Sequence, residues 1–133
     1  MTRFVVDAGV VIRLARDELT VPSSHELLAP TLLRSQVLSS VHAAVHNGDL
    51  SAEDGRALLE RTSAIKIRLL GDRVLRRNAW RCADELGTPS TYEAEYLALT
   101  RLQGDAFVTL DRDLAKRAGA LVPTAPFDAL FQG

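Results

Sequence analysis

Phe4-Val5-Val6-Asp7-Ala8-Gly9-Val10-Val11-Ile12 changes its periodicity in the middle. Phe4-Val5-Val6 is a short unbroken apolar run, the pattern of a strand buried on both faces of a parallel sheet. Over residues 9–16, Val10, Val11 and Leu14 recur at helical spacing, so a strand ending at Asp7 runs straight into a helix. The same switch returns at Ala106-Phe107-Val108-Thr109-Leu110-Asp111, where a buried strand over 106–110 leads into a helix over 111–118 that stops at Gly119.

Between these two units the pattern repeats. Leu27-Leu28-Ala29 reads as a strand stopped by Pro30, and residues 31–46 carry a helical stripe (Leu32, Leu33, Val37, Val41) closed by Asn47-Gly48. Ser51-Ala52-Glu53-Asp54 opens a helix through about residue 62. Ile65 and Ile67 alternate with Lys66 and Arg68, which predicts a strand with one wetter face. Residues 72–86 form a helix with Val74, Leu75, Ala79, Trp80, Ala83 and Leu86 inward, ended by Gly87; residues 91–102 form another. Ala120-Leu121-Val122 is a candidate last strand, and the tail from Pro123 is expected to be a partly ordered loop. Strands alternating with helices predict an α/β fold, a three-layer α/β/α sandwich around a central, mainly parallel sheet, with residues 1–133 as one domain.

Composition narrows the functional classes. With 47% hydrophobic and 25% charged residues the chain matches globular usage, and no apolar run reaches the ~20 residues of a membrane span. The opening residues meet Asp7 before a secretory leader's apolar core could form, and Cys82, the only cysteine, permits neither an internal disulfide nor a thiolate zinc cluster. A cytoplasmic location is expected. The net charge of −1 means that any nucleic-acid contact must come from a local basic patch.

Two strands ending in aspartate deliver carboxylates to the carboxyl edge of a parallel sheet, where ligands bind near the point at which strand order reverses. Each aspartate also suits the N-cap of the helix that follows it. Capping and metal binding therefore both stand as readings of Asp7 and Asp111.

Val5-Val6-Asp7-Ala8-Gly9-Val10-Val11-Ile12 resembles the opening strand and turn of PIN domains. Ala29-Pro30 with Leu33-Arg34-Ser35-Gln36-Val37-Leu38 is similar to their second motif, residues 90–99 to the third, and Phe107-Val108-Thr109-Leu110-Asp111-Arg112-Asp113-Leu114 to the fourth. The blocks keep the family's order and span nearly the whole chain, whose length suits a VapC-like toxin. The resemblance implies an acidic tetrad holding Mg²⁺ (or Mn²⁺) and hydrolysing RNA phosphodiester bonds. Asp7, Glu93 and Asp111 fall on its first, third and fourth positions, and Gln36 stands where the family carries glutamate. Hard oxygen ligands suit Mg²⁺, which in such a site activates water and screens the phosphate. Gln36 supplies an oxygen without charge, so the resemblance implies weaker metal binding and slower catalysis, or an inactive PIN-like domain that binds RNA or protein without cutting. It further implies a homodimer and a VapB-like antitoxin, with Val11, Leu14, Leu32 and Leu33 as candidate groove residues beside their core role.

The other polar residues carry paired readings. Asp113 is a candidate metal contact or a helix-dipole acid, and Glu95, about 200° around the helix from Glu93, is expected in solvent. Thr109 could bond a ligand carboxylate or be an ordinary strand residue. Arg13, Arg112 and Lys116 follow the two aspartate-ending strands and are candidate RNA contacts. Arg73, Arg76, Arg77 and Arg81 form either a phosphate-binding stripe or a solvated helix face. His42 and His46 lack a third zinc ligand, and Trp80 and the two tyrosines are expected in the core or an interface. A receiver-type signalling domain would also gather strand-end acids, but the adjacent acidic pair and late lysine it requires are missing.

Overall fold

A computed structural model describes all residues from Met1 to Gly133. Four strands, β1 (Thr2–Val6), β2 (His25–Pro30), β3 (Arg68–Leu70) and β4 (Ala106–Val108), form one parallel sheet in the order β3-β2-β1-β4. Six helices surround it: α1 (Ala8–Arg16), α2 (Leu32–His46), α3 (Ala52–Ala64), α4 (Arg73–Leu86), α5 (Tyr92–Leu102) and α6 (Arg112–Ala118). The chain moves outward from β1 to β2 to β3 and then returns past both to β4. Right-handed crossovers put outward and return connections on opposite faces. Accordingly α1, α2 and α3 pack together on one side, while α4 packs on α5, which lies against β1 and β2. The result is the α/β/α sandwich expected from the sequence.

The sheet is sealed by one apolar core in which Val5, Val6, Val10, Leu28, Leu97, Phe107 and Val108 are almost wholly buried. Val5 faces Phe107 and Val6 faces Val108 in the ladder, so the two aspartate-ending strands are immediate neighbours in register. The close approach of α3 to α2 depends on Gly55, where an added Cβ would lie 2.4 Å from a Val45 methyl.

Three expectations are corrected. The strand placed at Ile65–Ile67 begins later, at Arg68, where it pairs with β2 over Leu28 to Pro30. Ile65 and Ile67 still point half-buried toward the core, which is what their alternation recorded. Ala120-Leu121-Val122 is a turn, and sheet pairing falls slightly later, as a single parallel bridge between Phe107 and Thr124. The tail is not a loose loop: it folds into a 3₁₀ turn, Phe127–Phe131, that buries Leu130 completely. The Gln132 carbonyl bonds the His25 ring, which packs edge-on against Phe4.

No helix is long and apolar enough to cross a membrane.

Candidate metal centre

Strand order reverses between β1 and β4, and the side chains that leave the carboxyl ends of those strands meet there. Asp7 follows β1 and caps α1, its Oδ1 accepting from the Val10 amide at 3.2 Å. Asp111 caps α6, its Oδ1 accepting from the Leu114 amide at 3.0 Å. Both therefore cap helices, and both also line one cleft of about 340 Å³ with Gln36, Glu93, Tyr96, Ser39 and Ser40. Capping and site-building coincide because a cap at a parallel strand's end points at the switch point.

β4 leaves the ladder sooner than the apolar run suggests, and the reason is local. Thr109 donates its hydroxyl to Asp7 Oδ2 and accepts from the Asp111 amide at 3.2 Å. One side chain thus ties the two carboxylate-bearing turns together.

Asp7 is the electrostatic weak point of the cleft. Burial raises its carboxyl above the usual carboxylate range, the Thr109 and Val10 hydrogen bonds oppose that, and the negative charge of Asp111 raises it further. Neither aspartate has a cationic partner, since the ion pairs of the molecule involve Glu26, Asp17, Glu85, Glu93 and Asp113. Two carboxylates that repel each other in a half-buried cleft, lined by further oxygen donors, fit a hard cation.

Glu93 lies in the first turn of α5, and both its oxygens accept from Arg117 of α6, at 3.2 and 3.3 Å. Arg117 also bonds Asp113 at 3.0 Å. No three acidic, histidine or cysteine side chains are gathered tightly enough to form a metal cluster. Gln36, on α2, turns its Oε1 to the Tyr96 hydroxyl, which donates at 2.5 Å. Burial pushes the Tyr96 phenol well above its ordinary range, with the charges of Asp7 and Glu95 adding to the effect, so it stays a donor. Tyr96 is the site residue that the sequence did not single out; its position one helical turn after Glu93 was the available signal.

The remaining candidates scatter. Asp113 lies outside the cleft, 80% exposed, in its ion pair with Arg117. Arg13 sits over the Phe127 ring at 4.3 Å and pairs with Asp17, so the chain's own tail occupies it. Arg112 and Lys116 are exposed on α6 without ion-pair partners. Glu95 is half-buried rather than solvated, and burial raises its carboxyl. His42 and His46 stack on each other, 6.4 Å between centroids.

A second hollow, about 570 Å³ and largely apolar, lies where Val11, Leu33, Val37, Leu38, Leu59 and Ile65 meet. Of the groove candidates, Val11 and Leu33 line it, while Leu14 is sealed in the core and Leu32 faces elsewhere.

Solved structures of low sequence identity share this α/β fold. PAE2754 from Pyrobaculum aerophilum shares it with a TM-score of 0.71 at 22% identity, the match covering 97% of this chain and 92% of that one. A chain of VapBC-1 from nontypeable Haemophilus influenzae superposes with a TM-score of 0.58 at 13% identity, covering 95% and 98%. No family model matches the sequence, and no curated protein matches it.

Proposed function

We propose that the chain is a metal-dependent endoribonuclease toxin whose cleft holds Mg²⁺ or Mn²⁺ and cuts RNA. The observation that carries this reading is the uncompensated Asp7–Asp111 pair at the switch point, braced by Thr109. Asp7 and Asp111 would hold the ion, with the Gln36 oxygen as a neutral donor and Glu93 released from Arg117. When bound, the ion neutralises the carboxylates, polarises a phosphodiester and lowers the pKa of water.

The chain's own groups do the rest. Thr109 fixes the Asp7 carboxylate so that one oxygen stays on the α1 cap. Tyr96 holds Gln36 at the cleft wall. Glu93, once free of Arg117, would complete the metal shell or orient the attacking water. Arg112 and Lys116 lie beside Asp111 on an open face suited to phosphate.

The neighbour's name, VapBC-1, supports an antitoxin partner, and the apolar hollow beside α1, α2 and α3 is where a VapB-like segment would seat. A homodimer and a cytoplasmic location complete the proposal. A second reading, an inactive PIN-like domain that binds without cutting, is favoured by Gln36, which leaves the tetrad one charge short.

The test is cleavage of structured RNAs in Mg²⁺ or Mn²⁺ by the purified chain beside Asp7→Asn. Cutting by the parent and none by a folded variant supports the nuclease; full activity in Asp7→Asn overturns the mechanism.

A further inference from the structure

The outward face of α4 carries four arginines and the tryptophan. At about 100° per residue, Arg76, Trp80, Arg73, Arg77 and Arg81 fall in that order across an arc of about 140°. Leu75, Ala79, Cys82 and Ala83 occupy the opposite face and are buried. Trp80 and Val74, expected inward on this helix, are instead exposed, Trp80 by 68%. Trp80 stands among the arginines, and these five residues alone line a hollow of about 590 Å³.

None of the four arginines has a carboxylate partner, although six other arginines in the chain do. An unpaired guanidinium fork suits phosphate oxygens, and a solvent-facing indole offers a flat surface to an unpaired base. A two-fold contact centred on the stripe would set arginine against arginine. The neighbouring hollow toward α5 contains Asp72 and Glu95, so the anion-binding surface ends at Arg73 and Arg76.

We propose that this face of α4 binds single-stranded nucleic acid, with Trp80 stacked on a base and Arg73, Arg76, Arg77 and Arg81 on the backbone phosphates. The proposal deepens the nuclease reading and rests on it for the identity of the strand as substrate RNA. Duplex is disfavoured, since its base faces are already stacked.

Trp80 is the only tryptophan in the chain, so its fluorescence reports on this surface alone. The wild-type chain in EDTA, which suppresses metal-dependent cutting, is titrated with oligouridylate while fluorescence and the anisotropy of an end-labelled strand are read together. Saturable quenching that parallels the anisotropy is expected. Trp80→Ala should weaken binding roughly 5- to 150-fold, the range of one lost base–aromatic stack. Arg76→Gln with Arg77→Gln should lower the slope of log affinity against log salt by about 1.4, ~0.7 for each phosphate contact. All three side chains are exposed, so circular dichroism should show the variants folded.

Binding unaffected by both variants, or no quenching at saturation, overturns the proposal. So does a change of oligomeric state in Trp80→Ala by sedimentation, which would make the face a protein interface. Failure here is separable from failure of the nuclease reading. Binding through α4 without cutting in metal would sink only the nuclease, and metal-dependent cutting with binding indifferent to α4 would sink only this surface.

Discussion

Replacing Gln36 with glutamate restores a charge to the cleft at a position the structure has already prepared. Gln36 Oε1 is held by the Tyr96 hydroxyl at 2.5 Å, and a glutamate oxygen accepts the same bond without moving the backbone. A unit negative charge about 4 Å from a dication is worth about 2 kcal/mol even with bulk-water screening, which is roughly 30-fold in affinity. In the metal-free protein the sign reverses. The added carboxylate joins Asp7 and Asp111, whose mutual repulsion already raises Asp7, so Gln36→Glu should lower the melting temperature in EDTA. Calorimetric titration with Mg²⁺ or Mn²⁺, and thermal melts with and without metal, read both effects. The expected outcome is tighter binding by about 30-fold and a larger metal-induced rise in Tm. Unchanged affinity together with an unchanged EDTA melt would remove Gln36 from the site and refute the charge argument.

Two more outcomes follow from the same cleft. Burial raises Asp7 in the folded chain above its ordinary value of 3.8, so its folding penalty is absent below pH 3.8, grows as the unfolded carboxyl ionises, and is complete above the folded pKa. Asp7→Asn, which keeps an N-cap acceptor and a partner for Thr109, should therefore melt higher than wild type at pH 7 in EDTA, with the gap closing below pH 3.8; a less stable variant at pH 7 would contradict this. Arg117→Gln frees Glu93 from a half-exposed pair worth at most about 1 kcal/mol, so metal affinity should rise by up to about fivefold, and a fall would show that Arg117 assists the site rather than competing with the ion.

The features legible in the sequence were those in which local pattern and tertiary role agree. Val5-Val6-Asp7 and the run ending at Asp111 announce buried strands by composition and helices by the change of period. In a parallel sheet those two facts alone put their acids at one edge. Pairings across long stretches of chain were not legible: Tyr96 to Gln36 spans 60 positions and Arg117 to Glu93 spans 24. Nothing in either segment encodes the partner. Ile65 and Ile67 show another limit, since alternation records which side chains face the core and is silent on where the ladder with the neighbouring strand begins. Trp80 shows a third: hydrophobicity argued for burial, whereas position among four arginines argued for the outer face, and position decided. The tail was misread because its few apolar residues have no period, yet Leu130 fills a gap that only the assembled core creates.

The central claim is that the Asp7–Asp111 cleft is a metal-dependent nuclease site, and cleavage tests it most directly. Purified wild-type chain and Gln36→Glu are incubated with several structured RNAs in Mg²⁺ or Mn²⁺, each beside an EDTA control. Cutting that EDTA abolishes and that glutamate accelerates is the predicted result. No cutting by either form, with any RNA and either metal, would contradict it and favour a domain that binds without cutting.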